Sequence, residues 1–294
     1  MSHTVTRRRP RILRTARQSW RSTGLGLRRM PAAFLITLLA GTLLECLLFV
    51  SRVGASPVAG GIGPAAIEVL MTSIAVSFAR SLIAAPLAIA MHRFVLLGEG
   101  TELLPLRPVG RVVRFTLWLT AVGTISDVGL FLLATMPGRI VLIPVLQILG
   151  VVLAIRLILV FPQVALGATG HLARCSLSAT RWQFWRIGTV SVVTILPIVA
   201  ASLGIILLAH MLTPSLPWLQ TSQGAIAVLV GLLTPLGVAL GASSASWLFL
   251  VYNRTDLAPA GLGEIMLPAP DGTADAAAGI GGQAYVTRER HEHQ

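Results

Sequence analysis

Residues Arg156–Ile187 read RLILVFPQVALGATGHLARCSLSATRWQFWRI, and this stretch decides the fold. An arginine stands inside an apolar run. Pro162, Gly167 and Gly170 then interrupt the helix. A short basic and aromatic segment follows, and the next apolar run begins behind it. This is the pattern of a membrane helix that leaves the bilayer, lies along its surface and re-enters. Arg174, Ser178 and Arg181 are spaced four and three apart, so they share one helix face that can look to water. Trp182 and Trp185, beside Arg181 and Arg186, suit the level of the lipid headgroups.

The rest of the chain agrees. Of its 294 residues, 54% are hydrophobic and only 12% charged, with mean hydropathy +0.80. A soluble domain carries about a quarter charged residues, so the excess apolar surface must face lipid. All 23 basic residues are arginine, against 11 acidic ones. They sit beside apolar runs, which ties the charge to topology rather than to nucleic acid. The two cysteines, Cys46 and Cys175, fall on opposite sides of the expected membrane, so no disulfide joins them.

Six apolar segments are each long enough to cross a core of about 30 Å. They run over 31–50, 66–91, 115–135, 140–161, 187–212 and 225–252. Helices are expected, because an open sheet cannot satisfy its backbone in lipid. The fold class is therefore all-α: a polytopic membrane protein of six transmembrane helices, with an interfacial helix between spans four and five. Ahead of the bundle lies a basic arm, 1–30, with nine arginines and no acid. Leu13, Ala16 and Trp20 have helical spacing there. A short helix on an anionic membrane surface and a disordered arm both fit. Residues 253–294, rich in Ala, Gly, Pro and Asp, read as a disordered tail.

Orientation follows from the arginines. With the N-terminus inside, nineteen lie on the cytoplasmic side and two, Arg52 and Arg139, outside. Arg80 and Arg156 fall within spans. The split places both termini in the cytoplasm and the protein in the cell inner membrane.

Ionisable residues inside spans are the first functional candidates, because each costs about 2.5–3.5 kcal/mol to insert. Arg80 and Asp127 both fall near mid-membrane in consecutive spans, so they are expected to pair. The pair is either a structural tie or a substrate or proton site. Arg156, near the end of span four, is expected to bond Glu99 in the loop after span two; a lipid phosphate is the competing partner. Glu45, Glu68 and His210 are placed toward the outer interface. Gly237, Gly241 and Ala245 form a small-residue stripe on span six, suited to close helix packing within the chain or in a homo-oligomer. No nucleophile–base pair, metal-binding motif or phosphate loop appears, so neither cofactor nor metal is expected.

The stretch His92-Arg93-Phe94-Val95-Leu96-Leu97-Gly98-Glu99 resembles a motif of bacterial integral membrane proteins of unassigned function. Arg156–Gly167 and Ser178–Arg186 resemble the arginine–proline–glycine stretch and the entry to span five of the same proteins. These are similar to the membrane domain fused to some glycerophosphodiester phosphodiesterases. The resemblance spans roughly residues 20–252 and implies a six-helix fold. It brings no activity, because it does not include the soluble phosphodiesterase domain. The expected role is therefore non-enzymatic: envelope or lipid organisation, or a membrane partner module whose partners include membrane lipids. The alternatives are a small-molecule or ion transporter using Arg80 and Asp127, and an intramembrane enzyme acting on lipids.

Overall fold

In the computed structural model of the chain, the residues described are 11–53, 64–99, 109–135, 142–168, 170–181, 183–212 and 222–252. Among these there are helices and no strands. In chain order they are α1 (Ile12–Arg29), α2 (Pro31–Val53), α3 (Pro64–Leu97), α4 (Val109–Thr135), α5 (Leu142–Leu157), α6 (Val160–Ala165), α7 (Leu172–Thr180), α8 (Phe184–Leu212) and α9 (Ser222–Tyr252). Four contain stretches long and apolar enough to cross a membrane: Pro31–Leu48, Leu70–Leu97, Phe184–Ile205 and Gly231–Tyr252.

Prolines set two helix starts. Pro31 and Pro64 each open a helix, where the missing N–H is no loss. Met30, ahead of Pro31, leaves the helical region at φ −128, ψ 49, so the chain bends between α1 and α2. Pro162 does more than the sequence reading allowed. Its ring excludes the carbonyl four residues back, that of Ile158. The helix breaks there, at the turn 158–159, and α5 stops at Leu157 instead of running to Phe161. At 16 residues α5 rises about 24 Å. Conversely, α3 runs past Met91 through the His92–Leu97 motif, ending at Gly98 in the left-handed region with φ 75.

The hub is α9, which packs against α1, α2, α3 and α8. Its residues Ala242–Leu250 are all buried. The α2–α9 crossing is close: a Cβ on Gly231 would come within 2.6 Å of the Thr42 Cα.

One end of the bundle is capped. It gathers the C-termini of α3, α5 and α9, the N-termini of α2, α4 and α8, and the short helices α1, α6 and α7. The arm is therefore a docked helix over Ile12–Arg29, and its packed face is not the expected one. Thr15, Ala16, Ser19, Ser22, Thr23 and Gly26 are buried, whereas Leu13 is 77% exposed. Small and hydroxyl residues let the backbones approach and bond across. Trp247 Nε1 donates to Ser22 Oγ (2.9 Å), Thr23 Oγ1 to Ser243 Oγ (3.2 Å), and Trp20 Nε1 to the Thr194 carbonyl (3.1 Å). Arg14, Arg17, Arg21 and Arg28 line the opposite face.

Candidate functional site

Arg156 sits in a joint between two helix ends. The last carbonyls of a helix lack partners within it. The Arg156 carbonyl, in the last turn of α5, accepts from Ser176 Oγ at 2.6 Å and Thr180 Oγ1 at 3.3 Å, both on α7. In return Arg156 Nη2 donates to the Leu177 carbonyl, in the last turn of α7, at 3.0 Å. A cation at a helix C-terminus also suits the helix dipole. The expected Arg156–Glu99 bond does not form. Glu99 is taken by Arg93, six residues back, through Nε at 2.8 Å and through Nη2. Gly98, at φ 75, ends α3 and turns the chain so that Glu99 meets Arg93. Arg111 stands close by. Its pKa is lowered by burial and then by Arg93, with Glu99 opposing.

Arg80 has a partner on α2. Its Nε and Nη2 donate to the two carboxylate oxygens of Glu45, at 2.8 and 2.9 Å, in a bidentate pair between α2 and α3. Counted from the capped end, Glu45 is fourteen residues beyond Pro31 and Arg80 seventeen before Leu97. That is about 21 and 26 Å, nearly the same level. Glu45 thus holds Arg80 rather than reaching for the outer interface. Asp127 lies on α4, but its side chain is outside the described residues, as is that of His210.

One feature that could hold a ligand is a cavity of about 470 Å³ between α9 and the helices α3, α4, α5 and α8. Ligand sites commonly measure about 300–1,000 Å³ and are mostly apolar with few polar groups. Here the stripe Gly237–Gly241–Ala245 lines the space. A Cβ on either glycine would meet nothing within 4 Å. The stripe expected to pack a neighbouring helix instead makes room. Along α9 the cavity runs from Ala245 to Gly237, eight residues or about 12 Å.

Its polar groups lie toward the capped end. His92, fully buried on α3, lines the wall beside Phe115, with ring centroids 5.8 Å apart. Its Nδ1 is held by Ser246 Oγ at 2.7 Å. Ser244 also lines the cavity, and its buried hydroxyl has no partner. Thr37, Ser191, Thr194 and Ser202 each bond the carbonyl four residues back, whereas Ser244 does not. Among the described residues no charged side chain lines the cavity. Ser246 is not part of the wall, so the serine beside His92 orients the ring and presents no nucleophile to the space. Among the described residues no group of three or more His, Cys, Asp or Glu could hold a metal ion.

In the sequence His92 stands out only as part of the His92–Glu99 motif, and the Ser243–Ser246 run carries no motif. The available signal was a histidine and three serines inside apolar helices, where polar groups carry a cost. No family model, curated protein or solved structure matches the chain.

Proposed function

We propose that the chain is a six-span protein of the cell inner membrane, with both termini cytoplasmic, that holds a membrane lipophile inside its bundle. The role is non-enzymatic and belongs with lipid or envelope organisation. In this reading α4 and the α5–α6 pair supply the two spans beyond the four apolar helices. The capped end faces the cytoplasm, with α7 at the interface. The nineteen-to-two arginine split supports that orientation, as does the collection of Arg93, Arg111, Arg114, Arg174 and Arg186 at the capped end. The likeness of His92–Glu99 and Ser178–Arg186 to the phosphodiesterase-linked membrane domain is in keeping with it.

The observation that carries the reading is the cavity itself: about 470 Å³, apolar, without a charge among its described lining residues, and left open by two glycines on the central helix. Arg80, bidentate with Glu45, has its guanidinium engaged, which favours a structural tie over a transport site. Native mass spectrometry of protein purified in mild detergent tests the proposal. Wild type is expected to carry a lipid-sized adduct. Gly237→Leu/Gly241→Leu, which fills the cavity, is expected to lose it. Absence of the adduct from wild type, or equal adducts in both, would count against the reading.

A further inference from the structure

The cavity has two chemically different ends. Toward Gly237 the wall is aliphatic, with Val122 and Ile195. Toward Ala245 stand the His92 ring and the Ser244 hydroxyl. Ser246 occupies the His92 Nδ1, so the ring's remaining polar atom is Nε2, and no described residue bonds it. The Ser244 hydroxyl likewise has no partner. The buried Ser244 hydroxyl is costly unless a ligand or water completes it, and the His92 ring lines the same wall. A tail without a polar atom would leave that hydroxyl unsatisfied. A charged headgroup would meet no countercharge among the described lining residues, and desolvation opposes it.

Resting on the lipophile-binding reading above, we infer that the ligand is a neutral lipophile with one hydrogen-bonding oxygen, a hydroxyl or a carbonyl. That oxygen sits between His92 Nε2 and Ser244 Oγ. The apolar body extends along Gly241 and Gly237, away from the capped end. Ser246 is a positioning residue: it fixes which ring nitrogen is left for the ligand.

Displacement of a fluorescent lipophile from the detergent-purified full chain tests this. The competitors are an alkane, a primary alcohol, a methyl ketone and a carboxylate of one chain length. The alcohol and the ketone are expected to bind about tenfold tighter than the alkane, one buried hydrogen bond's worth. The carboxylate should bind no better than the alkane. In His92→Phe and in Ser244→Ala the preference should shrink toward one, with alkane binding retained. Ser244→Ala removes a single unpaired oxygen, so it decides the matter if His92→Phe does not fold. Equal binding of alcohol and alkane by wild type, tighter binding of the carboxylate, or an undiminished preference in Ser244→Ala would each overturn the inference while leaving the cavity reading intact. If no competitor displaces the probe and the probe itself does not bind, the underlying reading fails instead.

Discussion

Arg156→Met should loosen the joint between α5 and α7. Methionine keeps an unbranched stem and removes the guanidinium. The Leu177 carbonyl then loses a charge-assisted bond, worth about 1.5–3 kcal/mol. Against this, Arg156 Nε is buried without a partner, and its removal offsets about 1 kcal/mol of that loss. The expected net cost is about 0.5–2 kcal/mol. Ser176→Ala should cost about 1 kcal/mol, because Thr180 still reaches the Arg156 carbonyl. Adding Thr180→Val should raise that to about 1–3 kcal/mol by leaving the carbonyl bare. The charge swap Arg156→Glu with Glu99→Arg should rescue nothing. It would aim a carboxylate at the carbonyl end of α7 and set a second arginine beside Arg93. Unfolding by SDS titration in mixed micelles, followed by circular dichroism, reads each of these. A swap variant that recovers stability lost in both single variants would refute the joint and restore the Arg156–Glu99 pair.

Gly231→Ala should destabilise by about 1–3 kcal/mol relative to Gly204→Ala in the same titration, because its Cβ would meet the Thr42 backbone while that of residue 204 meets nothing; equal effects would deny the close α2–α9 crossing. Trp247→Phe should cost about 1 kcal/mol, and Trp247→Phe with Ser22→Ala should cost less than the sum of the two single variants, since each removes the bond they share; full additivity would mean that α1 is not docked as described. Arg80→Leu and Glu45→Leu should each cost more than the two together, since either alone strands a charge within a span; a double variant as unstable as the sum would show the pair to be idle. Reporter fusions after residues 50, 91, 135, 161, 212 and 252 should alternate between outside and cytoplasm, and an external C-terminus would rule out six spans.

The apolar runs were legible because about 20 apolar residues have few other uses. Pairings were harder to read. Depth alone points Arg80 to Asp127, whose side chain is outside the described residues, and does not single out Glu45, which lies at nearly the same level on α2 and bonds it. Arg156 was matched to a distant carboxylate, but the strongest acceptors near a helix end are carbonyls a few residues away. Leu13, Ala16 and Trp20 point to a helix on the membrane surface; of the three only Ala16 is buried, and Leu13 is exposed. In lipid there is no hydrophobic drive between helices, so Ser19, Ser22, Thr23 and Gly26 form the packed face. The same inversion hid the cavity. Gly237 and Gly241 signal close approach only where another helix fills the groove, and that depends on where α5 comes to rest, which no local pattern encodes.

The central claim is an occupied cavity between α9 and the helices facing it. An experimental structure of the protein in lipid nanodiscs tests it most directly. Elongated density beside Gly237 and Gly241, ending within hydrogen-bond distance of His92 Nε2 and Ser244 Oγ, is the expected result. A bundle in which α5 and α8 close onto α9 and leave no space there would contradict it.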